Sequence, residues 1–155
     1  MSVVKGILFD VGGTLIKEGG GELLPGVVST LSILRSSYKL GIVTNTDIKT
    51  ERDIREILRK FGVEGYFDTV VVSRDVGYRK PDGRIFHIAL DRLGLQPEEA
   101  IMVGNKADVD VKGGKAVGIK TVLITWHNEF PQGSLSGEAK PTYIISSMEE
   151  LLSVI

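Results

Sequence analysis

The chain has no cysteine, only two histidines and a single tryptophan among its 155 residues. Without thiols there is no disulfide framework, no thiolate nucleophile and no cysteine metal site. Any metal chemistry falls to carboxylates, amides and carbonyl oxygens, the ligands of a hard cation. An excess of charge of one sign is also missing. Nineteen Lys and Arg residues against twenty Asp and Glu give a net charge of -1, so no bulk electrostatic term draws the chain to nucleic acid or to an anionic membrane. Long hydrophobic runs are absent as well. The first, Ile7-Leu8-Phe9, is broken by Asp10, far short of a signal sequence or a membrane span, and the expectation is a cytoplasmic protein.

What is present is a mixture of 42% hydrophobic and 25% charged residues, enough to build a core. A chain of this length is expected to form one core, so residues 1–155 are read as a single domain. Gly6 to Phe9 reads as a buried strand that ends in Asp10 and the turn residues Gly12 and Gly13. Further apolar runs at 39–44, 69–72, 100–104 and 120–124 read as strands, with an edge strand at 143–145. Between them lie helical patterns: one opened by Pro25 with Val27, Leu31 and Leu34 on one face, one carrying Ile54, Ile57, Leu58 and Phe61, and one from about Asp82 to Leu93. A short glycine-containing helix is expected near 109–117 and a last one at 148–154; residues 126–140 carry no periodic signal. Apolar strands alternating with helices predict an α/β fold, a doubly wound, Rossmann-like parallel sheet with helices on both faces.

In such a sheet ligands bind beyond the carboxyl ends of the strands. Those ends here carry Asp10, Gly12, Gly13 and Thr14; then Thr44 and Asn45; then Lys80; then Asn105, Asp108 and Asp110. A carboxylate nucleophile, hydroxyl and amide donors, a cation and oxygen ligands for a metal make a set suited to phosphoryl transfer.

The segments Phe9-Asp10-Val11-Gly12-Gly13-Thr14-Leu15, Ile42-Val43-Thr44-Asn45, Gly77-Tyr78-Arg79-Lys80-Pro81-Asp82 and Val103-Gly104-Asn105, with Asp110 and Gly113-Gly114 beyond, resemble the haloacid dehalogenase superfamily. Four such islands in that order cover nearly all of residues 3–125. The resemblance implies a phosphatase in which Asp10 is the nucleophile that becomes a phospho-aspartate, and Thr44 and Lys80 complete the catalytic set. It implies a substrate site of Gly13, Thr14, Thr44, Asn45 and Lys80, and Mg²⁺ held by Asp10, the Gly12 carbonyl, Asn105 and Asp110. Many relatives insert a cap domain, but residues 16–43 and 45–79 leave no room for one. An open site of that kind takes a phosphorylated small molecule or macromolecule, or is covered by a second copy in a homo-oligomer. Trp126, His127 and Phe130 are candidates for part of its wall.

Two positions depart from the family pattern. Phosphatases of the family carry an acid two residues after the nucleophile, where this chain has Gly12. General acid help is worth roughly 10² to 10⁴ in rate, so an enzyme without it should favour aryl or acyl phosphates over alkyl phosphates. Glu18, Glu22 and Asp47 could in principle reach the site as substitute acids, though each also reads as an ordinary solvated carboxylate. The second departure is Asn105, a neutral amide where metal-dependent members have aspartate. These two positions keep two other readings open: a reduced relative that binds phosphate or a partner without turnover, and a metal-independent 2-haloacid dehalogenase-like hydrolase.

Overall fold

The computed structural model describes residues 3–126 and 136–155. Six strands form one parallel sheet: β1 (Gly6–Phe9), β2 (Lys39–Thr44), β3 (Thr69–Val72), β4 (Ala100–Gly104), β5 (Lys120–Ile124) and β6 (Tyr143–Ile145). Their order across the sheet is β3-β2-β1-β4-β5-β6. The chain therefore builds outward from β1 to β3, returns to the other side of β1, and continues outward to β6. The reversal opens a crevice between the carboxyl ends of β1 and β4, the place where a doubly wound sheet binds its ligand.

Side chains alternate across each strand, and here both faces are apolar. Ile7 and Phe9 of β1, Ile42 of β2 and Val70 of β3 point into one core with Val27, Leu31 and Leu34 of α1 (Val27–Arg35), Ile54 and Leu58 of α2 (Glu51–Lys60), and Leu151 of α6 (Leu151–Val154). Leu8, Val43, Val71 and Met102 point into the other, against Ile85, Phe86, Ala89 and Leu93 of α4 (Gly83–Leu93). Each fully buried side chain of this size contributes about 1.5–3 kcal/mol relative to exposure.

The helix ends show local sequence at work. Thr50 and Asp53 form a reciprocal capping box at the start of α2, and Asp82 accepts from the Arg84 N–H at the start of α4. Four expectations need adjusting. The first helix begins at Val27 after Gly26, which takes a left-handed conformation, rather than at Pro25. A short helix α3 (Ser73–Val76) follows β3 directly, too brief to leave a periodic trace in the sequence. The expected helix at 109–117 opens with a wide π-type turn (Ala107–Val111) before α5 (Lys112–Ala116), a local widening often found at functional sites. The last helix is likewise shorter than expected, with Met148 buried in the turn that precedes it. No cap domain is inserted among the described residues: 45–79 hold only α2, one 3₁₀ turn, β3 and α3.

Candidate active site

Asp10 stands immediately beyond β1, its N–H donating to the Val103 carbonyl of β4 at 3.0 Å. The side chain is thereby held at the crevice. The Lys80 ammonium donates to Asp10 Oδ1 at 3.0 Å and to Asp110 Oδ1 at 2.6 Å. Side-chain exposure is 1% for Lys80, 1% for Asp110 and 11% for Asp10, so an ion triad drawn from three distant segments is buried almost completely. Charges so buried persist only when paired. Two carboxylates against one ammonium still leave a deficit of positive charge. Burial pushes the Asp110 carboxyl above the ordinary carboxylate range, Lys80 pulls it back, and the neighbouring Asp10 carboxylate adds to the upward push.

Local structure explains how each member arrives. Asn45, just past β2, donates from Nδ2 to the Lys80 carbonyl at 3.0 Å and accepts the Lys80 N–H at 2.8 Å. Its amide thus pairs with the Lys80 backbone as a neighbouring strand would. Asp110 accepts the Lys106 N–H through Oδ2 at 3.1 Å, and the wide turn at 107–111 directs its side chain inward. A Cβ on Gly104 would fall 2.2 Å from the Asp110 carboxyl carbon, so only glycine lets the carboxylate approach the end of β4. Of the two aspartates left open by the sequence, the structure brings Asp110 to the triad and leaves Asp108 exposed.

The turn after Asp10 is closed by its own hydrogen bonds. The Gly13 N–H donates to the Ile16 carbonyl at 2.8 Å and the Thr14 N–H to the Val11 carbonyl at 3.2 Å, while Thr14 is fully buried. Gly13 and Thr14, expected as substrate contacts, therefore shape the turn and offer no spare amide. The N–H groups of Val11, Gly12 and Asn45 make no hydrogen bond within the described residues. The sequence reading missed Val11 for this purpose, since nothing in a valine marks its backbone as a donor. Thr44 is 5% exposed and borders, with Gly12 and Asn45, a cavity of about 250 Å³.

The Trp126 indole donates to the Gly13 carbonyl at 2.7 Å and reaches it from a backbone with φ of 55°, unusual for a residue other than glycine. It ties the end of β5 to the turn after Asp10. His127 and Phe130, the other two wall candidates, lie outside the described residues.

No group of three or more histidine, aspartate or glutamate side chains suited to a metal occurs among the described residues. A different donor set does fit a hard cation. The Asn105 Oδ1 is buried without a hydrogen-bond partner, and the two carboxylates of the triad lie in the same crevice. An orphaned amide oxygen costs stability unless something binds it. Mg²⁺, an oxygen-seeking cation that would offset the charge deficit, fits this donor set.

The family profile "Haloacid dehalogenase-like hydrolase" matches residues 17–124. The chain is 38% identical over 131 residues to the pyrimidine 5'-nucleotidase YjjG of Escherichia coli, covering 83% of this chain and 54% of that protein. It is 40% identical over 101 residues to the glyceraldehyde 3-phosphate phosphatase of Methanothermobacter thermautotrophicus, covering 64% of this chain and 43% of that protein. The chain spans about half the length of the curated relatives it matches. Among solved structures, a HAD phosphatase from Thermococcus onnurineus superposes with a TM-score of 0.84 at 24% identity over 97% of both chains, a likeness of fold. With the profile spanning more than half of the chain, the chain belongs to the haloacid dehalogenase-like hydrolase family.

Proposed function

We propose that the protein is a Mg²⁺-dependent phosphatase acting through a covalent phospho-Asp10. The observation that carries this reading is the buried triad of Asp10, Lys80 and Asp110 at the switch point of the sheet. Phosphatases among the relatives support the same chemistry. Asp10 attacks phosphorus, the bond from phosphorus to the ester oxygen breaks, and water then cleaves the phospho-aspartate to release phosphate and restore the carboxylate. Thr44 and the N–H groups of Val11, Gly12 and Asn45 hold phosphoryl oxygens while Lys80 keeps the Asp10 carboxylate aimed. Asp10, the Gly12 carbonyl, Asn105 and Asp110 would hold Mg²⁺, which would supply positive charge to those oxygens.

In this reading the substrate is a phosphorylated small molecule or an accessible phosphate on a macromolecule, in the cytoplasm, with no part for nucleic acid or membrane. No helix among the described residues is long and apolar enough to cross a membrane. The test is hydrolysis of an aryl phosphate with and without Mg²⁺ by the wild type beside Asp10→Asn. Metal-dependent release of phosphate that the substitution abolishes is expected; turnover that survives the substitution contradicts the mechanism. Release of halide from a 2-haloacid, unaffected by chelator, would instead favour carbon–halogen hydrolysis.

A further inference from the structure

The turn after β1 leaves a conspicuous gap at Gly12, and a carboxylate stands against it. A Cβ built on Gly12 would lie 3.5 Å from Oε2 of Glu18 and 3.8 Å from its Oε1 and carboxyl carbon. A Cβ built on the adjacent Gly13 would lie 3.0 Å from Oε1. The Glu18 carboxylate thus stands at ordinary contact distance from the point where a side chain at position 12 would begin. We propose that Glu18 is the general acid that protonates the leaving oxygen, in place of the carboxylic acid missing at Gly12. The assignment rests on the phosphatase reading above.

Three observations support it. Glu18 is placed by a closed hairpin and not by a loose loop: the Lys17 N–H donates to the Glu22 carbonyl at 2.9 Å, the Gly20 N–H donates to the Lys17 carbonyl at 2.8 Å, and Ile16 bridges Leu23. Its neighbours Lys17, Gly19 and Gly20 line the same cavity as Gly12, Thr44 and Asn45, so the hairpin that carries the exposed Glu18 borders the proposed phosphoryl site. The other two candidate acids are engaged elsewhere. Glu22 pairs with Lys17 at 3.5 Å and Asp47 with Arg79 at 2.7 Å, whereas Glu18 has no ion pair or hydrogen bond among the described residues.

The step balances as follows. As Asp10 bonds to phosphorus and the ester bond breaks, the electron pair of that bond stays on the leaving oxygen. The Glu18 carboxyl transfers its proton to that oxygen, the alcohol departs neutral, and Glu18 is left as a carboxylate. When water attacks the phospho-aspartate, Glu18 takes a proton from it and returns to its starting form. Help of this kind matters most for alkyl phosphates, whose leaving oxygens are strongly basic, and least for aryl phosphates.

The experiment measures turnover of glycerol phosphate and of nitrophenyl phosphate by the wild type, Glu18→Gln and Glu18→Gln with Gly12→Asp. Binding of beryllium fluoride, followed through the fluorescence of Trp126, reports independently that the Asp10 pocket is intact. Glu18→Gln should cut turnover of the alkyl ester by roughly 10² to 10⁴ and of the aryl ester far less, with beryllium fluoride binding retained. Adding Gly12→Asp should recover the alkyl activity. The new side chain has room, since Gly12 is not among the glycines with positive φ and its nearest contact is Glu18 itself. Equal losses on both esters, no loss on either, or a wild type active on the aryl ester alone would overturn the assignment of Glu18. A wild type that hydrolyses neither ester and binds no beryllium fluoride would overturn the phosphatase reading and this assignment with it.

Discussion

At the residue scale the account turns on Lys80, a cation shared between two carboxylates in a place nearly free of water. Replacing it with alanine leaves both acids without their partner. Breaking a buried ion pair in this way costs about 3–5 kcal/mol, so Lys80→Ala should lower the urea midpoint as well as abolish turnover. A midpoint equal to that of the wild type would show that the ammonium does not hold the pair. Gly104→Ala tests the same triad from the other side. A methyl group there would meet the Asp110 carboxyl, so the side chain must move away from Lys80, and both activity and stability should fall. The cost expected for such overpacking is about 1–3 kcal/mol by chemical denaturation. Unchanged stability and turnover would mean that Asp110 need not sit so close to the strand.

At the element scale, α4 is the helix that follows the Lys80 loop, and its start is fixed by charge. Hydrogen bonds from the Arg84 side chain, with its backbone N–H next, hold the Asp82 carboxyl at about 2 against an ordinary 3.8. A carboxyl lowered on folding stabilises the native state above its unfolded pKa and loses that contribution as pH falls through the folded one. Stability from this cap should therefore be complete above roughly pH 4 and fade towards pH 2. Asp82→Asn keeps an N-cap oxygen but cannot titrate, so its unfolding curves should lose part of the decline between those pH values; an identical decline would place the acid sensitivity elsewhere. Five of the six strands were legible as apolar runs, because strands buried on both faces need no alternation to mark them, and β6, exposed at Tyr143 and Ile144, was read as an edge strand. Their order in the sheet was not, since the same runs fit several parallel arrangements. The wide turn before α5 was also hidden, because five residues are too few to show a period different from that of an α-helix.

At the scale of the whole molecule, the candidate site lay open to sequence reading where its side chains carry unusual chemistry and was hidden where backbone does the work. Asp10, Lys80 and Asp110 converge in space as the motif order implied. The pairing of the Asn45 amide with the Lys80 backbone, the grip of Trp126 on Gly13 and the position of Glu18 against Gly12 depend on how distant loops pack, which no local pattern records. No cap covers the crevice among the described residues. A site of that shape should tolerate bulky esters, or be covered by a second copy of the chain. A series of aryl phosphates of rising size, measured beside sedimentation of the protein, checks this: a monomer whose kcat/KM collapses for all but the smallest ester would contradict both expectations.

The central claim is that phosphorus passes through Asp10. Acid quenching of the wild type during turnover of an aryl phosphate, followed by digestion and mass spectrometry, tests it most directly. The account predicts a phosphoryl group on the peptide that contains Asp10, lost on treatment with hydroxylamine and absent from Asp10→Asn. Steady turnover with no phosphorylated peptide, or a phosphoryl group on any other residue, would contradict it.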